Sequence, residues 1–206
     1  MIEKTGISTS WKRTKLGQVG KFFGGGTPRK AITKYWGGNI PFVTGADVIS
    51  QYVSESRSYL TEAGLASGHT YICQPGTVLL VTRTRVGRVG IAAKILGASQ
   101  DISAFVCSDE LLPEFVYWYL YSLSDGLTQS TQGITIQGLT REYVESIPIV
   151  IPSKLEQKQI ADRLEKEFHE IRRMRESAES QMRAISALPN ALLRETFGEL
   201  TLLSEE

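Results

Sequence analysis

The feature that most constrains the fold of this chain is an apolar repeat near its C-terminal end. In alternating steps of three and four residues it aligns Ala161, Leu164, Phe168, Ile171, Arg175, Ala178, Met182 and Ile185. Seven of these eight residues are apolar, and Ile160, Met174 and Leu188 widen the stripe on one side. A sustained repeat of about 3.5 residues is typical of a coiled-coil helix, so the pattern predicts an apolar face that packs against another helix.

The sequence also marks the ends of this helix. Ser153 suits an N-cap position, and Glu156 three residues later completes a capping box. Pro189 predicts a break, after which residues 190–197 resume as a short helix that ends at Gly198. About 30 residues at about 1.5 Å each make a rod of about 45 Å, longer than a domain of this size is wide. We therefore expect the helix to protrude.

The residues before the helix have the pattern of a mixed α/β domain. Short apolar runs between Gly and Pro predict strands at 40–48, 101–108 and 146–152, and a hairpin at 76–95 that is interrupted around Arg85–Arg88. Residues 113–126 predict a buried helix with Phe115, Trp118 and Tyr119 in the core. The predicted fold is an α/β (α+β) domain at 1–152, followed at 153–206 by a long α-helix of coiled-coil type.

Composition excludes several classes of protein. No run of eighteen apolar residues occurs and the N-terminus does not resemble a secretion signal, so we expect a cytoplasmic protein with no membrane partner. Cys73 and Cys107 form no CxxC motif, so we expect reduced, mostly buried thiols and no metal site. His69 and His169 lie far apart, and no set of catalytic residues is evident.

The charge is unevenly distributed along the chain. Residues 1–152 hold 14 Lys/Arg and 11 Asp/Glu, a net charge of +3, whereas residues 153–206 hold 9 and 11, a net charge of −2. This asymmetry is a mild bias of the first part toward an anionic partner.

The segment TRTRVGRVG, residues 82–90, holds the sharpest candidates for nucleic-acid contact. In an extended strand Arg83 and Arg85 point to the same face, and Arg88 follows the bend. Guanidinium groups bind phosphate oxygens and the edge of guanine. The alternative is that these arginines form weak surface pairs with the nearby acids Asp47, Asp101 or Asp109.

Two glycine-rich segments provide further candidates. FFGGGTPRK, residues 22–30, lacks the Gly-Lys-Ser/Thr of a P-loop, but it leads into Arg29, Lys30 and Lys34 on a loop that can present positive charge. STQGITIQG, residues 130–138, offers Gln132 and Thr135 as hydrogen-bonding groups toward bases. For both segments a solvated turn is the alternative.

These residues and their order resemble the specificity (S) subunit of type I restriction–modification systems. The resemblance runs from about Trp11 to Leu200. It rests on WKRTKLGQV, GGGTP, YWGGNIPFVTGADV, PGTVLLVTRTRVGRVGI, TQGITIQGLTREYVESIPIVIPSKLEQKQIADRL and LLRETFGEL. Its most specific element is the Pro-x-x-x-Glu-Gln-x-x-Ile-Ala pattern at 152–161, which opens the long helix.

The resemblance implies a non-catalytic subunit. Such a subunit has an α/β target-recognition domain that reads double-stranded DNA, followed by a helical spacer. It docks methyltransferase (M) subunits, which bind S-adenosylmethionine and methylate adenine, and a restriction (R) subunit that uses ATP can join. No cofactor is expected in this chain.

The chain departs from the usual family pattern in having one recognition domain and one spacer where two of each are common. The resemblance then implies that the stripe from Ile160 to Ile185 packs against a second copy of the chain, against an M subunit, or against both. In a homodimer, burying Arg175 in the helix–helix interface would cost free energy unless an acid of the partner chain, such as Glu170, Glu176 or Glu179, reaches its guanidinium.

An antiparallel homodimer predicts a split, inverted-repeat DNA target. A rod of about 45 Å corresponds to about 13 base pairs at about 3.4 Å each, so half-sites would lie about one helical turn apart. A coiled-coil adaptor without DNA binding is the alternative function. An autonomous methyltransferase or nuclease is disfavoured because the sequence has no Asn/Asp-Pro-Pro-Tyr/Phe motif, P-loop or paired carboxylates.

Overall fold

The computed structural model describes residues 11–130 and 138–202, and for residues 199–202 it describes the backbone alone. Contacts divide the chain into two units, one that ends at Ala161 and one that begins at Asp162. The functional boundary that the sequence predicts at residue 152 stays a prediction. Within the described residues, no helix has a stretch apolar and long enough to span a bilayer.

The first unit consists of short strands and short helices. Its strands are β1 (Lys12–Lys15), β2 (Gly20–Gly24), β3 (Trp36–Val43), β4 (Tyr52–Val53), β5 (Tyr59–Leu60), β6 (Tyr71–Cys73), β7 (Val78–Val81), β8 (Val89–Ala92), β9 (Leu96–Ala98), β10 (Ile102–Cys107) and β11 (Pro148–Ile151). Its helices are α1 (Glu62–Leu65), α2 (Pro113–Ser122), α3 (Ser124–Gln129) and α4 (Arg141–Ser146), and α5 (Lys154–Leu202) begins in it. The predicted α/β domain followed by a long helix is confirmed.

The strands of the described ranges form three sheets. The five-stranded sheet has the order β2-β10-β7-β8-β4, the four-stranded sheet has the order β5-β3-β9-β6, and β1 and β11 form the third. The predicted hairpin is confirmed, because β7 and β8 pair antiparallel with Val78 opposite Ile91. The predicted strand at 101–108 is β10, which pairs antiparallel with both β2 and β7.

The core is shared by strands of the two larger sheets. It contains Val43, Leu79, Leu96 and Ala104, each at most 1% exposed, from β3, β7, β9 and β10 respectively. All residues of β7 and β8 are buried. Their full burial explains why the sequence shows a continuous apolar run there rather than an alternation of apolar and polar residues.

The predicted helix at 113–126 is shorter than expected. Phe115 and Trp118 are buried as predicted and Tyr119 is half-buried, but α2 ends at Ser122. Gly126 does not end it, since this glycine lies inside α3. The physical reason is a tight turn at Leu123 (φ −94°, ψ −4°), whose carbonyl accepts from the N–H of Leu127 and starts the next helix.

The start of α5 follows the sequence closely. The backbone N–H of Ser153 donates to the Glu156 carboxylate at 2.9 Å, and the backbone N–H of Glu156 donates to Ser153 Oγ at 3.3 Å. This reciprocal arrangement is the predicted capping box. Glu156 also accepts from the Trp11 indole at 3.3 Å, and its pKa lies below the usual value because of the hydrogen bonds from Ser153.

Gln157 anchors the first turn of α5 in the first unit. Its side chain is fully buried, with Nε2 donating to the carbonyls of Glu110 at 2.8 Å and Pro152 at 3.0 Å. Its Oε1 accepts from the backbone N–H of Leu112 at 2.9 Å. One amide thus satisfies three backbone groups of two different segments, and the helix start is fixed to the unit that precedes it.

The end of α5 corrects the sequence analysis. The helix runs through both Pro189 and Gly198 as a single element of 49 residues, and the predicted break is wrong. A proline inside a helix removes one backbone donor and crowds the carbonyl four residues earlier, at a cost of about 3 kcal/mol, but its φ of about −65° is helical. A helix can therefore continue past it when the neighbouring residues favour helix. Here Ala184, Ala187 and Leu188 precede Pro189, and ALLRE follows at 191–195, all strong helix formers. At about 1.5 Å per residue the helix is about 73 Å long.

Candidate nucleic-acid interface

The loop at 82–88 joins β7 to β8 and carries the predicted arginines. The backbone N–H groups of Thr82 and Arg83 both donate to the carbonyl of Asp101, at 2.8 and 3.3 Å. Thr84 then has a φ of 62°, a left-handed conformation that is unusual for a β-branched residue. The expectation that Arg83 and Arg85 lie on one face of an extended strand is therefore wrong, because the strand ends at Val81 and the chain turns at Thr84.

The C-terminal end of the loop, at Val86 and Gly87, packs closely against α3. Gly87 has a φ of 89°, and a Cβ there would lie 2.5 Å from the carbonyl oxygen of Ser124. Thr128 Oγ1 donates to the carbonyl of Val86 at 2.9 Å. This position needs glycine both for its backbone conformation and for the close approach of α3.

Replacement of Gly87 by alanine should lower the free energy of unfolding by about 2 kcal/mol or more, because it adds backbone strain and a steric clash. Denaturant unfolding measures the loss. The matched control is Gly126→Ala, since Gly126 lies in α3 with an ordinary φ, and a Cβ added there would meet no atom within 4 Å. The control should be neutral or slightly stabilising, and an equal loss in both variants would contradict this explanation.

The three predicted arginines have different environments. Arg83 and Arg85 are exposed, whereas Arg88 is half-buried and its guanidinium donates to the carbonyl of Val48 at 3.4 Å. Within residues 11–130 and 138–198, none of the three has a carboxylate within 4.0 Å, so surface pairing with the nearby acids is not observed there. Asp47 pairs instead with Arg57 at 2.8 Å. Burial raises the pKa of Asp47, but hydrogen bonds from Arg57 and Thr44 outweigh this effect and lower it.

A groove of about 1280 Å³ brings Arg83 together with three other parts of the chain. The groove is lined by Gly24 and Gly25 at and after the end of β2, by residues 82–84 and Val86 of the loop, by residues 100–103 and by residues 138–142. Gly138 has a φ of 143°, and a Cβ there would lie 2.6 Å from the carbonyl oxygen of Thr82. The backbone N–H of Leu139 donates to that same carbonyl at 2.8 Å, so the loop and the start of α4 are held together.

Arg141 is a groove residue that the sequence analysis missed. It follows Thr140, whose hydroxyl accepts from the backbone N–H of Tyr143 at 3.2 Å and caps α4. The Arg141 guanidinium donates to the carbonyl of Phe22 and lies 3.9 Å from the carboxylate of Glu145. Hydrogen bonds from its own backbone N–H and from Thr140 lower the pKa of Glu142, the other charged residue of this turn. The sequence signal that could have identified Arg141 is its position directly after a helix-capping threonine.

The glycine-rich loop after β2 leads away from this groove. Gly25 and Gly26 donate to the carbonyls of Ile102 and Ala98, at 3.1 and 2.9 Å. Arg29, Lys30 and Lys34 are exposed, and none of them lines the groove that contains Arg83. Lys30 instead lines a second groove of about 630 Å³ with Trp36, Arg57 and Tyr59. The DNA contacts assigned to these residues stay predictions, and Gln132 and Thr135 lie outside the described residues.

The predicted apolar stripe of α5 is exposed over most of its length. Ile160, Leu164 and Phe168 are half-buried, but from Ile171 to Phe197 every residue of the helix is exposed. Met182 is 62% exposed and Ile185 is 59% exposed. Arg175 pairs along the helix with Glu179 at 2.8 Å, so its charge has a partner within the same helix.

Both cysteine thiols are shielded by burial. Cys73 is fully buried, as expected, and burial raises the pKa of its thiol to about 12. Burial likewise raises the pKa of the half-buried Cys107 to about 12, so neither thiol ionises near neutral pH. In the same part of the chain, no three His, Cys, Asp or Glu side chains are placed to hold a metal ion.

The first unit thus carries a polar groove, and α5 carries an exposed apolar stripe. Residues 9–179 match the family of the type I restriction modification DNA specificity domain. The chain belongs to this family.

Individual relatives agree with this assignment. The chain is 31% identical to the type I restriction enzyme MjaIX specificity subunit of Methanocaldococcus jannaschii over 161 residues, which is 75% of this chain and 37% of that protein. It is 24% identical to the EcoR124I/EcoR124II specificity subunit of Escherichia coli over 76% of this chain and 40% of that protein.

Solved structures share the fold. A chain from a study of complex assembly and conformational transition of the type I R-M system matches with a TM-score of 0.79 and 21% identity, over 96% of this chain and 48% of that one. The HsdS subunit from Thermoanaerobacter tengcongensis matches with a TM-score of 0.67 and 19% identity, over 86% and 42%. The chain thus spans between about a third and a half of the length of these relatives.

Proposed function

We propose that this chain is the DNA-recognition subunit of a type I restriction–modification complex. Its first unit reads one half of a bipartite site, and α5 positions methyltransferase subunits and, through them, a restriction subunit. The chain itself is non-catalytic, and S-adenosylmethionine and ATP bind to the partner subunits. The observation that carries the proposal is the groove with Arg83 and Arg141 in a chain of the specificity-domain family.

The construction of the groove supports a role in reading DNA. Its lining is polar and mixed in charge, with the hydroxyls of Thr82 and Ser103 beside the charged side chains. Hydroxyl, guanidinium and carboxylate groups are those that hydrogen-bond base edges. Arg85 is exposed on the same loop, where it can contact the phosphate backbone. Because the loop backbone is hydrogen-bonded at both ends, the backbone itself loses little conformational entropy on binding.

The exposed stripe of α5 supports a partner role for the helix. An exposed row of large apolar side chains at coiled-coil spacing is a surface that associates with another helix. We propose that the occupant is a second copy of this chain in antiparallel orientation, with M subunits docked on the paired helices. A two-fold pair of readers requires an inverted-repeat target with a fixed gap between its halves.

DNA binding by the full chain, alone and with its methyltransferase partner, tests the proposal. Fluorescence anisotropy with a duplex should show binding that weakens with salt. Replacing Arg83 and Arg85 by glutamine should lower the slope of log K against log salt by about 0.9, since Arg85 is the phosphate contact of this pair and each lost phosphate contact removes about 0.9.

The matched control is the double variant Arg172→Gln and Arg173→Gln, which removes the same charge from exposed positions on α5. We expect its slope to equal that of the wild type. An unchanged slope in the Arg83/Arg85 variant would remove these residues from the contact surface. No binding to any duplex, with or without the methyltransferase, would contradict the proposal and favour a coiled-coil adaptor.

A further inference from the structure

Asp101 occupies an unusual place for an acid, because it lines the groove that we assign to DNA. It lies in the turn between β9 and β10, and its main chain is fixed there on both sides. Its N–H donates to Ser99 Oγ at 3.3 Å, and its carbonyl accepts from the backbone N–H groups of Thr82 at 2.8 Å and Arg83 at 3.3 Å. The position of its carboxylate is therefore set by the backbone of the turn.

The carboxylate of Asp101 has a weak internal partner. Its Oδ1 accepts from Thr84 Oγ1 at 3.3 Å, on the residue that has the left-handed φ of 62°. Within residues 11–130 and 138–198, no Lys or Arg nitrogen lies within 4.0 Å of it. The half-buried carboxylate thus keeps acceptor capacity that the described part of the chain leaves available to a ligand.

The other charges of the groove have structural explanations. Arg141 donates to the carbonyl of Phe22, and Glu142 is bound at the start of α4 by its own backbone and Thr140. The two acids and two bases of the lining, Asp101, Glu142, Arg83 and Arg141, give a net charge of zero. A groove with this balance does not favour phosphate, and a carboxylate within it repels phosphate. Asp101 therefore marks a position where base edges rather than backbone would lie.

We propose that Asp101 is a specificity-determining residue that accepts a hydrogen bond from the exocyclic amino group of a cytosine. This inference rests on the proposed function. Aspartate can accept from cytosine N4 in the major groove, and arginine can donate to guanine O6 and N7. Arg83, whose backbone N–H is bonded to the Asp101 carbonyl, is placed to contact a guanine next to that cytosine.

Selection from a randomised duplex library, followed by sequencing, tests this assignment for the full chain with its methyltransferase partner. The wild type should require cytosine in at least one position of each half-site. Asp101→Asn keeps the size of the side chain, removes its charge and adds an amide donor. We expect this variant to lose about tenfold of its discrimination at that one position, while discrimination elsewhere is kept. Its affinity for unrelated DNA at low salt should rise, because one negative charge has left the groove.

Thr84→Ala separates base reading from a structural role. This variant removes the hydroxyl that donates to Asp101 but keeps the carboxylate. If Asp101 merely stabilised the loop, both variants would weaken binding to all sequences in parallel, and that result would overturn the inference. A selected target without cytosine at any required position would also overturn it, independently of how either variant folds. A wild type that binds DNA with no sequence preference would overturn the proposed function itself.

Discussion

Replacement of Gln157 by alanine should lower the free energy of unfolding of the first unit by about 3 kcal/mol. The amide of Gln157 is fully buried and satisfies the carbonyls of Glu110 and Pro152 and the N–H of Leu112. Without it, all three backbone groups lose a partner, and each buried polar group left unpaired costs about 1–3 kcal/mol. For a chain of this size the expected fall in melting temperature is about 6–12 °C. Thermal unfolding followed by circular dichroism measures it.

The control for this prediction is Gln159→Ala. Gln159 lies two residues further along the same helix and is exposed, so the substitution removes an identical side chain without breaking a buried hydrogen bond. Because alanine is the better helix former, the control should melt at or slightly above the wild-type temperature. Equal melting temperatures for both variants would show that the Gln157 contacts contribute little to stability.

These contacts explain what the residues of the motif at 152–161 do in the structure. Ser153 and Glu156 cap the helix, and Gln157 ties its first turn to the segment around Glu110 and Leu112. Ala161 then packs in the first unit. The residues that made this the most specific part of the family resemblance are those that fix where the helix begins and how its first turn is attached.

Much of the fold could be predicted because the relevant signals are local. A continuous apolar run predicted β7 and β8, and Ser153 with Glu156 predicted the start of α5. The strands β4, β5, β6 and β9 were not predicted, since two or three residues are too few to show a periodic pattern. The parallel pairing of β3 with β9 joins segments about fifty residues apart, and no local pattern encodes such a contact.

The candidate site was predicted in part. The sequence pattern indicated the segment with Arg83 and Arg85 but predicted both in a strand. The left-handed turn at Thr84 could not be predicted, because the residue that adopts it is not a glycine. Asp101 was noted only as a possible partner of those arginines, whereas its carbonyl organises the loop and its carboxylate lines the groove. Pro189 was over-interpreted, since a single missing donor does not end a helix whose flanking residues favour it.

Introducing charge into the stripe should abolish pairing of the long helices. The double variant Met182→Glu and Ile185→Glu places four carboxylates in the seam of a two-fold dimer and removes four apolar side chains from it. At about 1.5 kcal/mol or more for each of the four buried side chains, the dissociation constant should rise by about ten-thousandfold or more. Sedimentation velocity of the full chain at micromolar concentration should show a dimer for the wild type and a monomer for this variant.

The face of the helix, rather than its net charge, should decide this outcome. Ser180→Glu together with Ala187→Glu adds the same two negative charges to each chain at exposed positions, and both positions lie on the side away from Met182 and Ile185 at about 100° per residue. This control should remain a dimer. A wild type that sediments as a monomer would show that the stripe does not join two copies of the chain. If that monomer binds the M subunit and the Met182→Glu, Ile185→Glu variant does not, the same residues would be assigned to the contact with the methyltransferase. We expect the stripe that is exposed along the helix from Ile171 to Phe197 to associate with one of these two partners, because association would remove its apolar side chains from water.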